Sequence, residues 1–366
     1  SFARIIETDT PAIGIRIAAV VVAITLAWLT YKLIEAPIRF SKQKNRYKVF
    51  ALCLLMIMVG GIGFYVNSQK GLPLRSNFIE AQQKIGDLTW GTSKKTSYVA
   101  CPTQLQSIPP SLGYCARSAS GAPSIALFGD SHADHLFHSI ANIDKKNNWL
   151  FIGNHSCPPV SGINVVSALV KNCQQLSEKA LSIIGNSASI HTVVLSFFGN
   201  YMLETSFAKD HMLSGRGPRT IKITSREFSS NNKIELFYMG LEKAVRQLES
   251  HGKSVIVIVD VPELPFLPRD CLRSRVFGGG SPCELTRAMA LDRQRELRGM
   301  LSKLVDIHPK VRLYDPFDLL CDKENCNFET NDLLLYRNSH HLSMRGSAFL
   351  ANDFLKWMPQ NQGNAD

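Results

Sequence analysis

Two blocks of this 366-residue sequence carry residue types suited to nucleophilic acyl chemistry: Gly129-Asp130-Ser131-His132 and Asn338-Ser339-His340-His341-Leu342-Ser343. A serine hydroxyl is a weak nucleophile until a base within hydrogen-bonding reach takes its proton, and imidazole is the usual base. A third block, Phe198-Gly199-Asn200-Tyr201, supplies an asparagine whose amide can donate to an oxyanion. Each block alone is commonplace, since Gly-Asn is a routine turn. Their order on the strand and helix pattern is what makes them a site.

The apolar run Ile125-Ala126-Leu127-Phe128 stops abruptly at Gly-Asp-Ser and a helical pattern follows. This reads as a buried strand that delivers Ser131 to the edge of an α/β sheet, where ligands and catalytic groups collect. Further strands are expected at 149–152, 192–198, 254–260 and 311–314, and helices at 233–250, 284–304 and 344–357. Alternation of this kind predicts a parallel sheet with helices on both faces, an α/β/α fold, rather than a β-sandwich. The Asn200 block then follows the third strand, and the His341 block precedes the final helix, whose loop can fold back over the sheet edge. Residues 202–232 form a long polar, basic stretch, read as a solvated loop.

The formal charge of +11 is not a nucleic-acid signature, because no recognised binding module accompanies it. Several of the cations (Lys32, Arg39, Lys42, Lys44, Arg46, Lys48) sit between two apolar segments, residues 12–34 and 49–66. Each segment is about long enough to cross a bilayer, and a basic loop between them fits a cytoplasmic turn. That topology places Ser1 and the chain beyond Asn67 outside the cytoplasm. The nine cysteines point the same way. Cys53 lies in an apolar run, and the other eight fall into local pairs: Cys101 with Cys115, Cys157 with Cys173, Cys271 with Cys283, Cys321 with Cys326. Eight cysteines allow about 105 connectivities, of which neighbour pairing is the simplest. Disulfides imply an oxidising compartment. A zinc site is the rival reading, though none of these pairs has CxxC spacing.

With these blocks in place the chain resembles the SGNH (GDSL-type) hydrolase and acyltransferase superfamily. More narrowly, it is similar to the fused form in which such a domain follows an acyltransferase-3 membrane domain. The narrower likeness rests on Tyr31-Lys32-Leu33-Ile34-Glu35-Ala36-Pro37-Ile38-Arg39, Gly-Asp-Ser-His-Ala, Cys157-Pro158-Pro159 and His341-Leu342-Ser343. It implies three parts: residues 1–66 as the end of the membrane domain with a transmembrane hairpin, 67–100 as a linker, and 101–366 as a periplasmic SGNH domain. The first residue being Ser, the chain is expected to be the C-terminal part of a longer polypeptide or a trimmed form of it.

The resemblance further implies Ser131 as nucleophile and His341 as base, with the backbone N–H of Ser131 and the side chain of Asn200 as oxyanion donors. A glycine after the second strand usually adds a donor; Gly162 and Gly153 both qualify, with Gly162 preferred. Asp130 is expected to fix the turn. The family has an aspartate three residues before the histidine, and this chain has Asn338. Asn338 is either a weaker orienter of the imidazole or a disabling replacement. His340 is the rival base, but Arg337, three residues before it, cannot accept from imidazole. His132, His135 and His138 drift about 60° per step on a helix and converge poorly as metal ligands. No metal or cofactor is therefore expected, and His132 is expected to line the pocket. The implied function is O-acetyl transfer to a sugar hydroxyl of bacterial envelope polysaccharide, with lipopolysaccharide O-antigen the foremost acceptor. The implied setting is the inner membrane with the SGNH domain in the periplasm. The partners would be the upstream membrane domain and a glycan, not nucleic acid; the alternatives are an acetyl esterase or a degenerate glycan-binding domain.

Overall fold

The structure, a computed structural model, describes residues 13–40, 45–68, 99–101, 113–167, 172–203, 207, 221–268, 271, 283–330 and 333–360. The chain divides into two compact units, one holding residues up to Gln83 and the other running from Lys84 to Cys271 and from Pro282 to Asp366.

In the first unit, α1 (Ile13–Thr30) runs through a π turn, Tyr31–Glu35, into α2 (Ala36–Phe40), and α3 (Asn45–Ser68) follows. Ile17, Val21 and Leu26 on α1 and Leu54, Met58 and Ile62 on α3 are all exposed. Large apolar side chains turned outward on every face of a helix suit a lipid surround rather than water. Among the described residues, Arg16–Glu35 is long and apolar enough to span a membrane, and Leu52–Ser68 forms a shorter apolar stretch. The expectation of two spanning helices is therefore met among the described residues by one.

The second unit is built on a seven-stranded sheet of order β1-β2-β4-β3-β6-β8-β9. Its members are β1 (Val99–Ala100), β2 (Tyr114–Arg117), β3 (Ile125–Gly129), β4 (Trp149–Gly153), β6 (Thr192–Ser196), β8 (Ser254–Ile258) and β9 (Arg312–Tyr314). The strands from β4 to β9 pair in parallel, as expected. The sheet is nonetheless mixed, because β2 joins β4, and β1 joins β2, antiparallel. These edge strands are short and carry no long apolar run, and the Cys101–Cys115 disulfide helps hold them together. β5 (Ile163–Val166) and β7 (Lys222–Ser225) form a separate antiparallel pair. β7 lies within the stretch expected to be loop; residues 204–206 and 208–220 of that stretch are outside the described residues.

Helices α4 (Ser131–Ile143), α5 (Cys173–Asn186), α6 (Lys233–Ser250), α7 (Arg287–Arg293), α8 (Arg295–Ile307) and α9 (Met344–Gln360) cover the sheet. Side chains alternate across a strand, and here both faces are apolar. Ala126, Phe128, Leu150, Ile152, Val193 and Leu195 join Leu176, Phe237, Leu241 and Leu301 of α5, α6 and α8 in one core. Ile125, Leu127, Phe151 and Val194 are equally buried on the other face. There Phe151 stacks on Phe137 of α4, at 5.0 Å between centroids, and α9 packs along α4. The result is the expected three-layer α/β/α arrangement.

The single helix expected over 284–304 is broken at Gln294 (φ −92°, ψ 2°), between α7 and α8. Buried Gln294 turns inward and donates to the Asp260 carbonyl at 2.7 Å. All eight candidate cysteines outside Cys53 are paired with their neighbours: Cys101–Cys115, Cys157–Cys173, Cys271–Cys283 and Cys321–Cys326. By loop closure alone each stabilises the fold by about 2–3 kcal/mol.

Gly129 and Gly153 end neighbouring strands in register, and a Cβ on Gly153 would lie 1.8 Å from the Gly129 carbonyl oxygen. Backbone cannot yield there as a flexible side chain would. Gly153→Ala is expected to destabilise the domain by about 1–3 kcal/mol, read as a lower melting temperature. An unchanged melting temperature would show that the two strand ends separate at little cost.

Candidate active site

The parallel strands follow the order 2-1-3-4-5 in chain sequence, so connections leave β3 in opposite directions and open a crevice beyond the ends of β3 and β6. Ser131 begins α4 immediately after β3. Asp130 caps that helix, its Oδ1 accepting from the His132 backbone N–H at 2.8 Å. The other oxygen of Asp130 accepts from the Phe198 N–H at 3.0 Å and from the Tyr201 hydroxyl at 2.6 Å. Asp130 is fully buried, and burial pushes its carboxyl above the usual range. It therefore ties the β3 turn to the loop after β6, the structural role expected of it.

His341 arrives from the far end of the chain. Tyr336 and Leu342 form an antiparallel bridge, and Arg337 N–H donates to the His341 carbonyl at 2.8 Å. The Leu264 N–H donates to the Ser339 carbonyl at 2.7 Å, tying this loop to the segment beyond β8. His341 Nε2 lies 2.9 Å from Ser131 Oγ, and its Nδ1 lies 3.2 Å from Asn338 Oδ1. Asn338 Oδ1 also accepts from the backbone N–H groups of His340 and His341, at 3.1 and 2.8 Å. Those two donors fix which end of the amide is oxygen, so the ring must donate to it from Nδ1–H. The Nε2 lone pair then faces Ser131. Burial holds His341 well below the ordinary histidine value, and the cationic forms of His340, His132 and His135, with Arg337, add to this. His341 is thus a neutral imidazole that can accept a proton.

His132 is the contrasting case. Burial pulls its pKa down, but the Asp260 carboxylate, 2.6 Å from Nδ1, outweighs that with help from Asp130 and Glu263 and leaves it raised. Environments that push two neighbouring histidines in opposite directions separate their roles. Its ring lies 4.7 Å from that of His341. His135 is buried beside it, whereas His138 Nε2 pairs with the Asn142 amide at 3.0 Å.

Asn200 is buried, and its Nδ2 donates to Glu263 Oε2 at 2.8 Å. Arg293, at the end of α7, binds the same carboxylate at 2.8 Å, and Phe207 N–H donates to its other oxygen at 3.2 Å. Of the two candidate glycines, Gly153 ends β4 beside Gly129, two residues from Ser131. Gly162 instead abuts Glu227 and Phe228 beside the β5–β7 pair, and its carbonyl accepts from Ser225 Oγ at 2.7 Å. Gly153 thus ends level with Gly129 on the strand that leads to Ser131, and Gly162 lies nine residues further along the chain.

Asp260, Glu263, Arg293 and Tyr201 were not singled out from the sequence. Asp260 had a signal, a carboxylate at the end of a predicted parallel strand, where site residues collect. The other three had none.

The family model of the SGNH domain (fused to AT3 domains) matches residues 100–356. The chain belongs to this family. No curated protein matches the chain. Among solved structures, the SGNH domain is similar to the lipopolysaccharide acetyltransferase periplasmic domain of Salmonella ser. Paratyphi A, at 16% identity over 66% of this chain and 85% of that one, with a TM-score of 0.47. It is also similar to a candidate acylhydrolase of Bacteroides fragilis (9%, 66% and 89%, TM-score 0.38) and to a GDSL-like lipase of Bacteroides thetaiotaomicron (7%, 78% and 98%, TM-score 0.36).

Proposed function

We propose that the chain is the extracytoplasmic part of a membrane-anchored O-acetyltransferase that acylates Ser131 and passes the acetyl group to a sugar hydroxyl of envelope polysaccharide. The observation that carries this reading is the 2.9 Å contact between Ser131 Oγ and His341 Nε2, in a domain of the kind fused to AT3 membrane domains. Lipopolysaccharide O-antigen is the foremost acceptor, and the upstream AT3 domain supplies the acetyl group at the outer face of the inner membrane.

In the first half-reaction Ser131 Oγ attacks the acetyl carbonyl while His341 Nε2 takes its proton. The oxyanion that forms is held by the Ser131 N–H, by Gly153 N–H in place of Gly162, and by Asn200. Glu263 engages one hydrogen of the Asn200 amide nitrogen and leaves the second for the oxyanion. The donor's leaving group departs with the proton from His341. In the second half-reaction a sugar hydroxyl attacks the acyl-enzyme, His341 takes that proton, and Ser131 leaves protonated as the acetylated sugar is released.

The deciding experiment is to load Ser131 with an activated acetyl ester and chase with O-antigen oligosaccharide or with buffer alone. Acetylated glycan supports the transferase reading; release as acetate at the same rate with and without glycan makes the domain an esterase. Asn200→Ala is expected to slow acylation by about 10²–10³-fold without blocking it, measured by stopped acylation time courses. An unchanged rate would remove Asn200 from the oxyanion hole.

A further inference from the structure

We infer that His132, His340 and His341 form a binding site for one Zn²⁺ ion, and that the metal switches the serine site off by taking the nitrogen of the base. One ring nitrogen of each histidine lies within 4.8 Å of one on each of the others. The ring centroids are 4.4 Å (His340 to His341), 4.7 Å (His132 to His341) and 5.6 Å (His132 to His340) apart. This set differs from the helical trio His132, His135 and His138, because two of its members come from the loop before α9.

The second observation is at His132. Its Nε2 is buried and has no hydrogen-bond partner among the described residues. Asp260 meanwhile holds a proton on Nδ1, at 2.6 Å. A carboxylate on one imidazole nitrogen with the other nitrogen presented inward is the arrangement that orients metal-bound histidines. His341 is preset in the same sense, with Asn338 Oδ1 on Nδ1 and Nε2 facing the Ser131 hydroxyl. A metal bound at Nε2 of His132 displaces at most the proton on that nitrogen, which passes to solvent.

Zinc–nitrogen bonds of about 2.0–2.1 Å in a tetrahedron place ligand nitrogens about 3.4 Å apart. The trio therefore has to close by about 1.4 Å at its widest. His340, the one member that is not buried, is the arm that swings. Three imidazoles and a water suit Zn²⁺, Cu²⁺ or Ni²⁺ and not Ca²⁺ or Mg²⁺. The Nε2 lone pair of His341 cannot serve a metal and the Ser131 hydroxyl together. Occupancy therefore competes with activation of the nucleophile. This inhibitory consequence rests on the serine chemistry proposed above; the binding itself does not.

The test is a Zn²⁺ titration of the full chain in detergent micelles against a chromophoric chelator. The expected result is one Zn²⁺ per chain, with affinity falling about tenfold or more in His132→Gln, in His340→Gln and in Asp260→Asn, but not in His138→Gln. Ser131→Ala, which has no hydroxyl to compete for His341, is expected to bind Zn²⁺ at least as well. Turnover of an activated acetyl ester by the unsubstituted chain should fall in step with occupancy and return with EDTA. Because His340 is partly exposed, its variant stays informative even where His132→Gln fails to fold. Absence of stoichiometric uptake, or uptake indifferent to both His132→Gln and His340→Gln, overturns the site. Uptake that leaves turnover untouched overturns the switch. Uptake lost in these variants, in a chain that turns over no ester, upholds the site and refutes the acyl-transfer reading instead.

Discussion

Ser131→Ala is expected to gain no acetyl group on exposure to an activated acetyl ester, while the unsubstituted chain gains one, and its turnover should fall by about 10⁴–10⁶-fold. Ser131 Oγ is the oxygen within reach of the His341 lone pair, at 2.9 Å. Without it the site can still orient a substrate and stabilise an oxyanion, so activity above that of water should persist at the level binding alone supports. The substitution should leave the fold intact, because the turn is held by Asp130 through Phe198 and Tyr201. Intact-mass spectrometry reads the result directly. An acetyl group found elsewhere, with Ser131→Ala as active as the parent, would end the serine reading.

Asn338→Leu is expected to slow acylation by about 10³–10⁴-fold, whereas Asn338→Asp should stay within about tenfold of the parent. In serine proteases, replacing the triad aspartate by asparagine costs about 10⁴ because the imidazole is held in the wrong tautomer. Here two backbone N–H groups already hold Asn338 Oδ1, which leaves oxygen, not nitrogen, facing His341 Nδ1. The tautomer is then right without a charge. Leucine fills similar space but removes the acceptor for the ring and for both N–H groups, so the comparison is made on variants whose melting temperatures have been matched. A gain of about 10⁴ in Asn338→Asp would mean instead that charge, not orientation, is what the position lacks.

The parts of the fold carried by local pattern were legible in the sequence. Runs such as Ile125 to Phe128 and Thr192 to Ser196 are buried on both faces and read as strands without knowledge of their neighbours. The pairing of Ser131 with His341 was legible because serine acyl chemistry would call for these residue types beside recognisable turns, and the two side chains meet at 2.9 Å. Asp260 on His132, and Glu263 and Arg293 behind Asn200, were not, because nothing local shows which carboxylate meets which partner. The break at Gln294 was hidden for the same reason: helical periodicity runs through 284–304, and what interrupts it is the Asp260 carbonyl at the end of another strand.

Ser131 and His341 lie 210 residues apart; Ser131 begins α4, the His341 loop leads into α9, and the two helices lie side by side. If the domain is exported as proposed, a chain still being threaded across the membrane would hold Ser131 without His341 until its last helix docks. On the proposed chemistry the serine would be armed by completion: a fragment without the His341 loop would hold Ser131 with no base and would not spend acyl groups on water.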